Sequence, residues 1–299
     1  MFERESLRGI IPPLATPLTP AGEVDAGGMR RLVDHVLGAG VHGIFVLGST
    51  GEFPFLTARQ RVDVVAAAVE AVNGRVPVVA GISAVGTREA IEHGRAARKA
   101  GADFLIVTAP YFGRMAMPQE WIAQHVQSIA DEAGAPLLLY NVPPLINDME
   151  PPTIARLAEH PGIVGMKDSG SLIHVQDVIF RTRARSFRVL AGLEYHLVAA
   201  MLVGAHGGTP SPSNIIPRWY VEMYDLAVAG RVADALAAQE RANRFVDRLD
   251  EIPCWPTAVK GALSLMGICG PTVAAPQPAL TTEERDLLRD HLRVNGLLA

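Results

Sequence analysis

The chain alternates short apolar runs with segments whose apolar residues recur at helical spacing, and this alternation most restricts its fold. Eight apolar runs lie between residues 9 and 210, seven helical segments separate them, and an eighth helix follows. The runs are nearly continuously apolar, which is typical of parallel strands covered on both faces. No G-x-G-x-x-G motif follows the first run, so an open dinucleotide-binding sheet lacks its main support. The pattern therefore predicts an α/β protein with a (β/α)8 TIM barrel.

The predicted barrel, with its catalytic site, occupies residues 1–230, and residues 231–299 form a C-terminal helical region packed on it. Beyond residue 230 the pattern predicts helices only, near 232–251, 256–268 and 281–295. Proline near helix starts and glycine just after helix ends mark several boundaries within the barrel. The strands are predicted within residues 9–19, 42–48, 76–83, 103–110, 136–143, 163–168, 187–194 and 207–210.

Composition argues against several classes of partner. The net charge of −4 and the pI near 6.1 do not fit a nucleic-acid binder, whose surface must be basic. No apolar run approaches the ~18–20 residues that span a bilayer, and the charged N-terminus lacks the apolar segment of a signal peptide. Cys254 and Cys269 are too far apart for a C-x-x-C pair, which favours a reducing compartment. We therefore expect a cytoplasmic protein without a nucleic-acid or membrane partner.

Lys167 stands at the end of the sixth apolar run and is one of only three lysines, with Lys99 and Lys260. Arginine stays protonated at any working pH, whereas a lysine shielded from water can lose its proton and act as an amine nucleophile. A lysine in this position therefore suits covalent chemistry with a carbonyl compound. The alternative is a strand-end lysine that reaches out to solvent.

The active site of a TIM barrel lies at the C-terminal ends of its strands, which supplies further candidates. Tyr140, at the end of the neighbouring strand, can exchange protons while the amine attacks a ketone. The turn with Ser49 and Thr50 precedes a helix and can hold a carboxylate. Tyr140 also fits a core tyrosine, and the turn also fits an ordinary small-residue turn. The other candidates at this mouth are Tyr111, Gly192, Glu194, Thr209 and Ser211.

Metal chemistry has little support in the sequence. None of the nine histidines belongs to an H-x-H or H-E-x-x-H motif. His196 and His206 lie nearer the expected site, where they fit polar wall residues. We therefore expect no metal and no other cofactor.

Three motifs resemble those of the pyruvate-dependent class I aldolase family, which includes dihydrodipicolinate synthase and N-acetylneuraminate lyase. They are GSTGE from Gly48, YNVP from Tyr140 and GMKDS from Gly165, in the family's order. The resemblance covers nearly the whole chain and implies a TIM barrel with a C-terminal helical region, usually assembled as a homotetramer, with a dimer as the smaller possibility. It also implies that Lys167 forms a Schiff base with a small 2-oxo acid, and that Tyr140 donates or accepts protons. Ser49, Thr50 and Thr209 would surround the pyruvate moiety.

The chain departs from the synthases at positions that contact the second reactant. In those enzymes YNVP is followed by a serine and an arginine that holds a carboxylate, where this chain has Pro144 and Leu145. A second tyrosine that the synthases contribute across a subunit interface is replaced by Phe112, whose ring cannot relay a proton. Arg114 is a candidate partner for a distal carboxylate, and Glu194 for the hydroxyls of a sugar acid. Stretches such as GSTGEFPFLT and HPGIVGMKDSG resemble the 4-hydroxy-2-oxoglutarate aldolase branch.

We therefore predict a class I lyase that releases or adds pyruvate from a 4-hydroxy-2-oxo acid, such as 4-hydroxy-2-oxoglutarate or a 2-keto-3-deoxy sugar acid. One alternative is 4-hydroxy-tetrahydrodipicolinate synthase, and another is a 2-keto-3-deoxy acid dehydratase that uses the same imine. A non-catalytic barrel that binds a keto acid is the hypothesis from a different class.

Overall fold

A computed structural model describes residues 2–112, 117–143 and 145–298. Eight parallel strands of these residues form one sheet in the order β1-β8-β7-β6-β5-β4-β3-β2. The predicted α/β barrel is confirmed, because sequential strands lie side by side and each is followed by a helix. The strands are Gly9–Ile10 (β1), Ile44–Val46 (β2), Val78–Gly81 (β3), Phe104–Thr108 (β4), Leu137–Asn141 (β5), Ile163–Asp168 (β6), Arg188–Ala191 (β7) and Gly207–Gly208 (β8).

The segment after β1 closes the ring against β2. The backbone N–H of His42 donates to the carbonyl of Ile10 at 2.8 Å, and that of Phe45 donates to the carbonyl of Pro12 at 2.9 Å. Leu14 N–H donates in turn to the carbonyl of Phe45 at 2.7 Å. The first strand is much shorter than the predicted 9–19. Consecutive prolines at 12 and 13 carry no N–H, so the segment cannot form a continuous ladder.

Helices cover the outside of the sheet, and their starts follow local capping chemistry. The Asp25, Thr57 and Ser171 side chains each accept a backbone N–H at the start of a helix. Thr57 also forms a reciprocal capping box with Gln60. The barrel helices are Ala26–Gly38 (α1), Ala58–Val72 (α2), Thr87–Lys99 (α3), Gln119–Glu132 (α4), Pro151–Leu157 (α5), Leu172–Thr182 (α6), Leu197–Leu202 (α7) and Pro217–Val228 (α8).

Three further helices follow the eighth unit, as the sequence predicts: Val232–Leu249 (α9), Trp255–Leu265 (α10) and Thr282–Val294 (α11). Helix α9 packs against α8, and α10 packs against α9 and α11. A division into two parts after residue 230 stays a prediction. None of the helices in the described ranges is long and apolar enough to cross a membrane.

The core has two layers, which follow from the alternation of side chains along the strands. Leu138 and Tyr140 of β5 point into the barrel, where they pack with Phe45, Val164 and Leu190. The alternate residues Leu137 and Leu139 belong to the larger cluster between the sheet and the helices. Tyr140 therefore lies inside the barrel at the C-terminal end of its strand.

Gly81, the last residue of β3, allows a close approach that a larger residue would prevent. A Cβ at this position would lie 2.0 Å from the carbonyl oxygen of Leu47, which has a left-handed φ of 62°. We expect Gly81→Ala to lower the free energy of unfolding by about 1–3 kcal/mol, because backbone must move to make room. Gly38→Ala is the matched control, since nothing lies within 4 Å of its added Cβ. Urea unfolding that gives equal stabilities for the two variants would contradict this packing.

Candidate active site

A register shift in β6 turns Lys167 into the barrel. Leu137 pairs with Ile163, but the next residue, Leu138, pairs with Gly165, so β6 contains one extra residue. Without this bulge, Lys167 would share the outward face of Ile163, because the side-chain period of a strand is two. With the bulge, Lys167 is paired with Tyr140, whose side chain points inward.

The Lys167 amine lies among aromatic rings inside the barrel. Lys167 is buried, with only 4% of its surface exposed. The Nζ atom lies 4.5 Å from the centroid of the Tyr140 ring and 5.2 Å from that of Phe45. Within the described residues, no carboxylate oxygen lies within 4.0 Å of this Nζ. The solvent-facing alternative for Lys167 is therefore wrong.

Tyr140 connects the amine to the turn after β2. Its hydroxyl and the hydroxyl of Ser49 lie 3.1 Å apart, and either can be the donor. The Tyr140 ring also meets Phe45 edge to face, with centroids 6.0 Å apart. The tyrosine is therefore held by both packing and a hydrogen bond, next to a second hydroxyl that can pass on a proton.

Gly192, at the end of β7, leaves space for the lysine chain. A Cβ there would lie 3.0 Å from Lys167 Cε and 2.0 Å from Ser169 Oγ. The Gly192 N–H also donates to the carbonyl of Asp168 at 2.6 Å, which ties β7 to the end of β6. Glycine at this position therefore leaves space for the side chain of Lys167, which a larger residue would occupy.

A polar network behind Lys167 fixes the end of its strand. Asp168 is fully buried and accepts hydrogen bonds from Gly170 N–H at 2.8 Å and from Asn141 Nδ2 at 3.3 Å. His174 Nδ1 lies 2.6 Å from the other oxygen of the same carboxylate. The Nε2 atom of His174 lies 3.0 Å from the carbonyl of Met149. The network thus joins β5, β6 and α6 immediately behind the amine.

Thr50, Ser211 and Trp255 form a chain of polar contacts at the same mouth. Thr50 Oγ1 lies 2.7 Å from Ser211 Oγ, which accepts a hydrogen bond from Trp255 Nε1 at 2.6 Å. Thr209 is buried, and its hydroxyl has no partner within the described residues. This combination provides hydroxyls that can accept or donate to a bound polar molecule.

Glu194 and Tyr111 occupy different surroundings. Burial raises the pKa of Glu194, whereas its own backbone N–H and the positive charge of Lys167 oppose that rise. Tyr111 packs edge to face on Phe53, and the buried Arg61 lies over the same Phe53 ring. Tyr111 is also partly buried against the large core cluster, and its role in binding substrate stays a prediction. Arg114 and Pro144 lie outside the described residues.

Several residues at the site escaped the sequence analysis. His174 was assigned to a helix and not to the site, because its contact with Asp168 requires the turn between β6 and α6. Trp255 lies in the C-terminal region, and no motif connects it with Ser211. Among the described residues, no three His, Cys, Asp or Glu side chains are grouped so that they could hold a metal ion.

Comparisons with known proteins find the same architecture and related sequences. The sequence model of the dihydrodipicolinate synthetase family matches residues 6–294. A protein of Methylibium petroleiphilum named 4-hydroxy-tetrahydrodipicolinate synthase is 37% identical over 97% of this chain and 98% of its own length.

Two solved structures are similarly close in fold. One is a prophage protein of E. coli K12 that belongs to the dihydrodipicolinic acid synthase family and was solved with pyruvate. It has a TM-score of 0.92 and 31% identity, with 97% of this chain and 99% of that chain covered. The other is a monomeric dihydrodipicolinate synthase variant with a TM-score of 0.93, 27% identity and full coverage of both chains.

The contact between His174 and Asp168 predicts a pH-dependent stability. Burial alone would lower the pKa of His174, but the hydrogen bond with Asp168 and the charges of Asp168 and Asp148 outweigh it and raise the pKa. A raised folded-state pKa stabilises the fold below the unfolded value, about 6.5, and this contribution is lost as pH rises through the folded value. The free energy of unfolding of wild type should therefore exceed that of His174→Asn most at about pH 5.5, one unit below the unfolded value. The difference should shrink towards about pH 8.5, two units above it.

Urea unfolding of both proteins across this range measures the difference directly. Subtracting the variant removes the contributions of the other histidines. A difference that stays constant or grows as pH rises would contradict the assigned contact.

Proposed function

This chain belongs to the dihydrodipicolinate synthetase family, whose members are class I, pyruvate-dependent lyases, and we propose that it binds pyruvate as an imine on Lys167. The observation that supports this most directly is the inward-facing amine of Lys167 beside the Tyr140–Ser49 hydroxyl pair. A buried amine next to a proton relay is the arrangement that carbonyl addition requires.

The proposed reaction begins when the neutral amine of Lys167 attacks the ketone carbon of pyruvate. The new C–N bond gives a carbinolamine, which loses its hydroxyl as water after a proton arrives through Tyr140. The resulting imine draws electrons from the neighbouring methyl carbon, which loses a proton and becomes the nucleophilic carbon of an enamine. This carbon then attacks an aldehyde, and the reverse sequence cleaves the same carbon–carbon bond. Ser49 accepts and returns the proton of Tyr140 across their 3.1 Å contact.

The carboxylate of pyruvate would lie on the turn after β2. Thr50 supplies a hydroxyl and, with Gly51, backbone N–H groups, while Thr209 adds a buried hydroxyl without another partner in the described ranges. Oriented N–H groups and hydroxyls form an anion-binding concavity. A carboxylate in this position would present the ketone carbon towards Lys167.

The second reactant has two candidates. Curated relatives that match almost the whole chain are named 4-hydroxy-tetrahydrodipicolinate synthase, which favours aspartate semialdehyde as the acceptor. This support ranks the synthase above the 4-hydroxy-2-oxo acid aldolase that the sequence analysis placed first.

One feature of the site favours the aldolase. Leu145 follows YNVP and is 59% exposed, and a leucine cannot form the bidentate hydrogen bonds with a carboxylate that an arginine provides. Glu194 would then contact the hydroxyls of a sugar acid.

The remaining parts of the proposal concern cofactors and assembly. We propose that the reaction needs no metal or other cofactor, since the imine itself activates the substrate. We also propose that the chain assembles as a homotetramer or dimer, although one similar structure is a monomeric variant. A cytoplasmic location is a further proposal.

Borohydride reduction in the presence of pyruvate tests the imine. We expect one irreversible pyruvate adduct on the peptide that contains Lys167, no adduct in Lys167→Ala, and a normal adduct in Lys99→Ala, since Lys99 is exposed on α3. Peptide mass analysis identifies the modified residue. A wild-type protein that binds pyruvate without forming an adduct would instead be a non-catalytic binding barrel.

Assays with two substrate classes test the second reactant. For the synthase, pyruvate consumption should depend on aspartate semialdehyde, whereas an aldolase should release pyruvate from 4-hydroxy-2-oxo acids. We also expect Leu145→Arg to raise kcat/KM for aspartate semialdehyde by about tenfold, because it adds a charged partner for the carboxylate. Leu145→Met is the control of similar length without charge. If wild type releases pyruvate from a 4-hydroxy-2-oxo acid and ignores aspartate semialdehyde, the synthase candidate is wrong.

A further inference from the structure

The turn that we assign to the pyruvate carboxylate is bracketed by two strained residues. Leu47 and Glu52 have φ values of 62° and 60°, in the left-handed region that residues other than glycine rarely adopt. Such a conformation costs about 1–3 kcal/mol per residue and persists only where its surroundings enforce it. The shape of Gly48–Gly51 therefore depends on contacts outside the turn.

The side chain of Glu52 is held by the C-terminal region. This carboxylate is fully buried and forms an ion pair with Lys260 of α10, which is also fully buried. It accepts hydrogen bonds from Ala274 N–H and Gln277 Nε2, both at 2.6 Å. Lys260 Nζ donates to the carbonyl of Thr272 at 2.6 Å. Every one of these partners lies beyond residue 255.

The backbone of Glu52 transmits this restraint to the turn. Its N–H donates to the carbonyl of Ser49 at 3.0 Å, and Thr16 Oγ1 donates to the carbonyl of the adjacent Gly51 at 2.7 Å. A displacement of the Glu52 carboxylate would therefore also move Ser49 and the N–H groups of Thr50 and Gly51.

Helix α10 reaches the same turn a second time. Trp255, at its first position, donates to Ser211 Oγ at 2.6 Å, and Ser211 contacts Thr50 Oγ1 at 2.7 Å. One helix is thus linked to the turn twice, directly through the Lys260–Glu52 ion pair and indirectly through Trp255 and Ser211.

Stability alone gives a weak reason for the buried pair. Removing two charges from water costs several kcal/mol per ion, and apolar replacements of such pairs often leave stability unchanged or improved. What an apolar pair cannot reproduce is the fixed direction of the Glu52 carboxylate, which determines where the turn lies.

We propose that Lys260 and Trp255 are positioning residues, through which helix α10 holds the turn 48–52 in the shape that binds the pyruvate carboxylate. The inference rests on the proposed function of this site. It makes the C-terminal helical region part of the apparatus that binds pyruvate, although its residues need not touch the substrate.

The test compares the pyruvate concentration that half-saturates the borohydride-trapped adduct on Lys167 in several variants. Glu52→Gln combined with Lys260→Met removes both charges together, so that neither is left buried and unpaired. We expect the half-saturating concentration to rise about tenfold or more, because a misplaced turn binds the carboxylate poorly. Adduct formation at saturating pyruvate should still reach one per chain, since Lys167 and Tyr140 are unchanged.

Two further variants separate positioning from general destabilisation. Trp255→Phe keeps most of the ring packing but loses the indole N–H, and we expect it to raise the half-saturating concentration about threefold or more through the freed Ser211. His291→Leu removes a 2.9 Å contact between α11 and the carbonyl of Phe245 in α9. This control should lower stability in urea while leaving the half-saturating concentration unchanged.

The outcomes are distinct. Wild-type protein without a Lys167 adduct would refute the proposed function itself. A wild-type adduct together with unchanged half-saturation in the folded double variant would overturn only the positioning role. If the double variant does not fold, Trp255→Phe decides, and a wild-type value in that variant overturns the proposal.

Discussion

The structure of the site depends on one extra residue in β6. Successive side chains along a barrel strand point alternately inward and towards the helices. Whether Lys167 points inward therefore depends on how many residues precede it in β6. The irregular pairing around Val164 adds one residue, so that Lys167 points inward and its amine lies beside Tyr140 and Phe45. Gly165 permits the change, because a Cβ there would lie 2.5 Å from the carbonyl of Arg188 in β7. The covalent chemistry we propose follows from this geometry.

Two sets of contacts then hold the site from opposite sides. Behind the amine, the buried Asp168 joins Asn141 and His174 and fixes the end of β6. On the other side, the strained turn after β2 is restrained by Glu52 and its partners in the C-terminal region. In the proposed reaction, the first set would orient the amine that attacks the ketone, and the second would orient the groups that hold the carboxylate. On this proposal, the helices after the barrel contribute to the shape of the site.

Most of the fold could be predicted from the sequence, because local chemistry determines it. Caps at Asp25, Thr57 and Ser171 start three of the helices that alternate with the strands, and the predicted apolar runs correspond to the strands. The first strand was overestimated, since its β-branched residues are interrupted by Pro12 and Pro13. The shielded amine of Lys167 was predicted from its unusual position, but the bulge that turns it inward was not, because Val164 and Gly165 look like ordinary strand residues. Contacts such as Glu52 with Lys260 join segments far apart in the chain, and no spacing rule indicates them.

If Lys167 converts pyruvate into an imine and then an enamine, the methyl protons of pyruvate should exchange with deuterium from the solvent without any second reactant. Enamine formation removes a methyl proton of pyruvate, and its return from heavy water replaces that proton with deuterium. Proton NMR of pyruvate in D2O should show the methyl signal disappearing with wild-type protein, and disappearing no faster than in buffer with Lys167→Ala. Exchange by Lys167→Ala at the wild-type rate would show that Lys167 does not form the enamine.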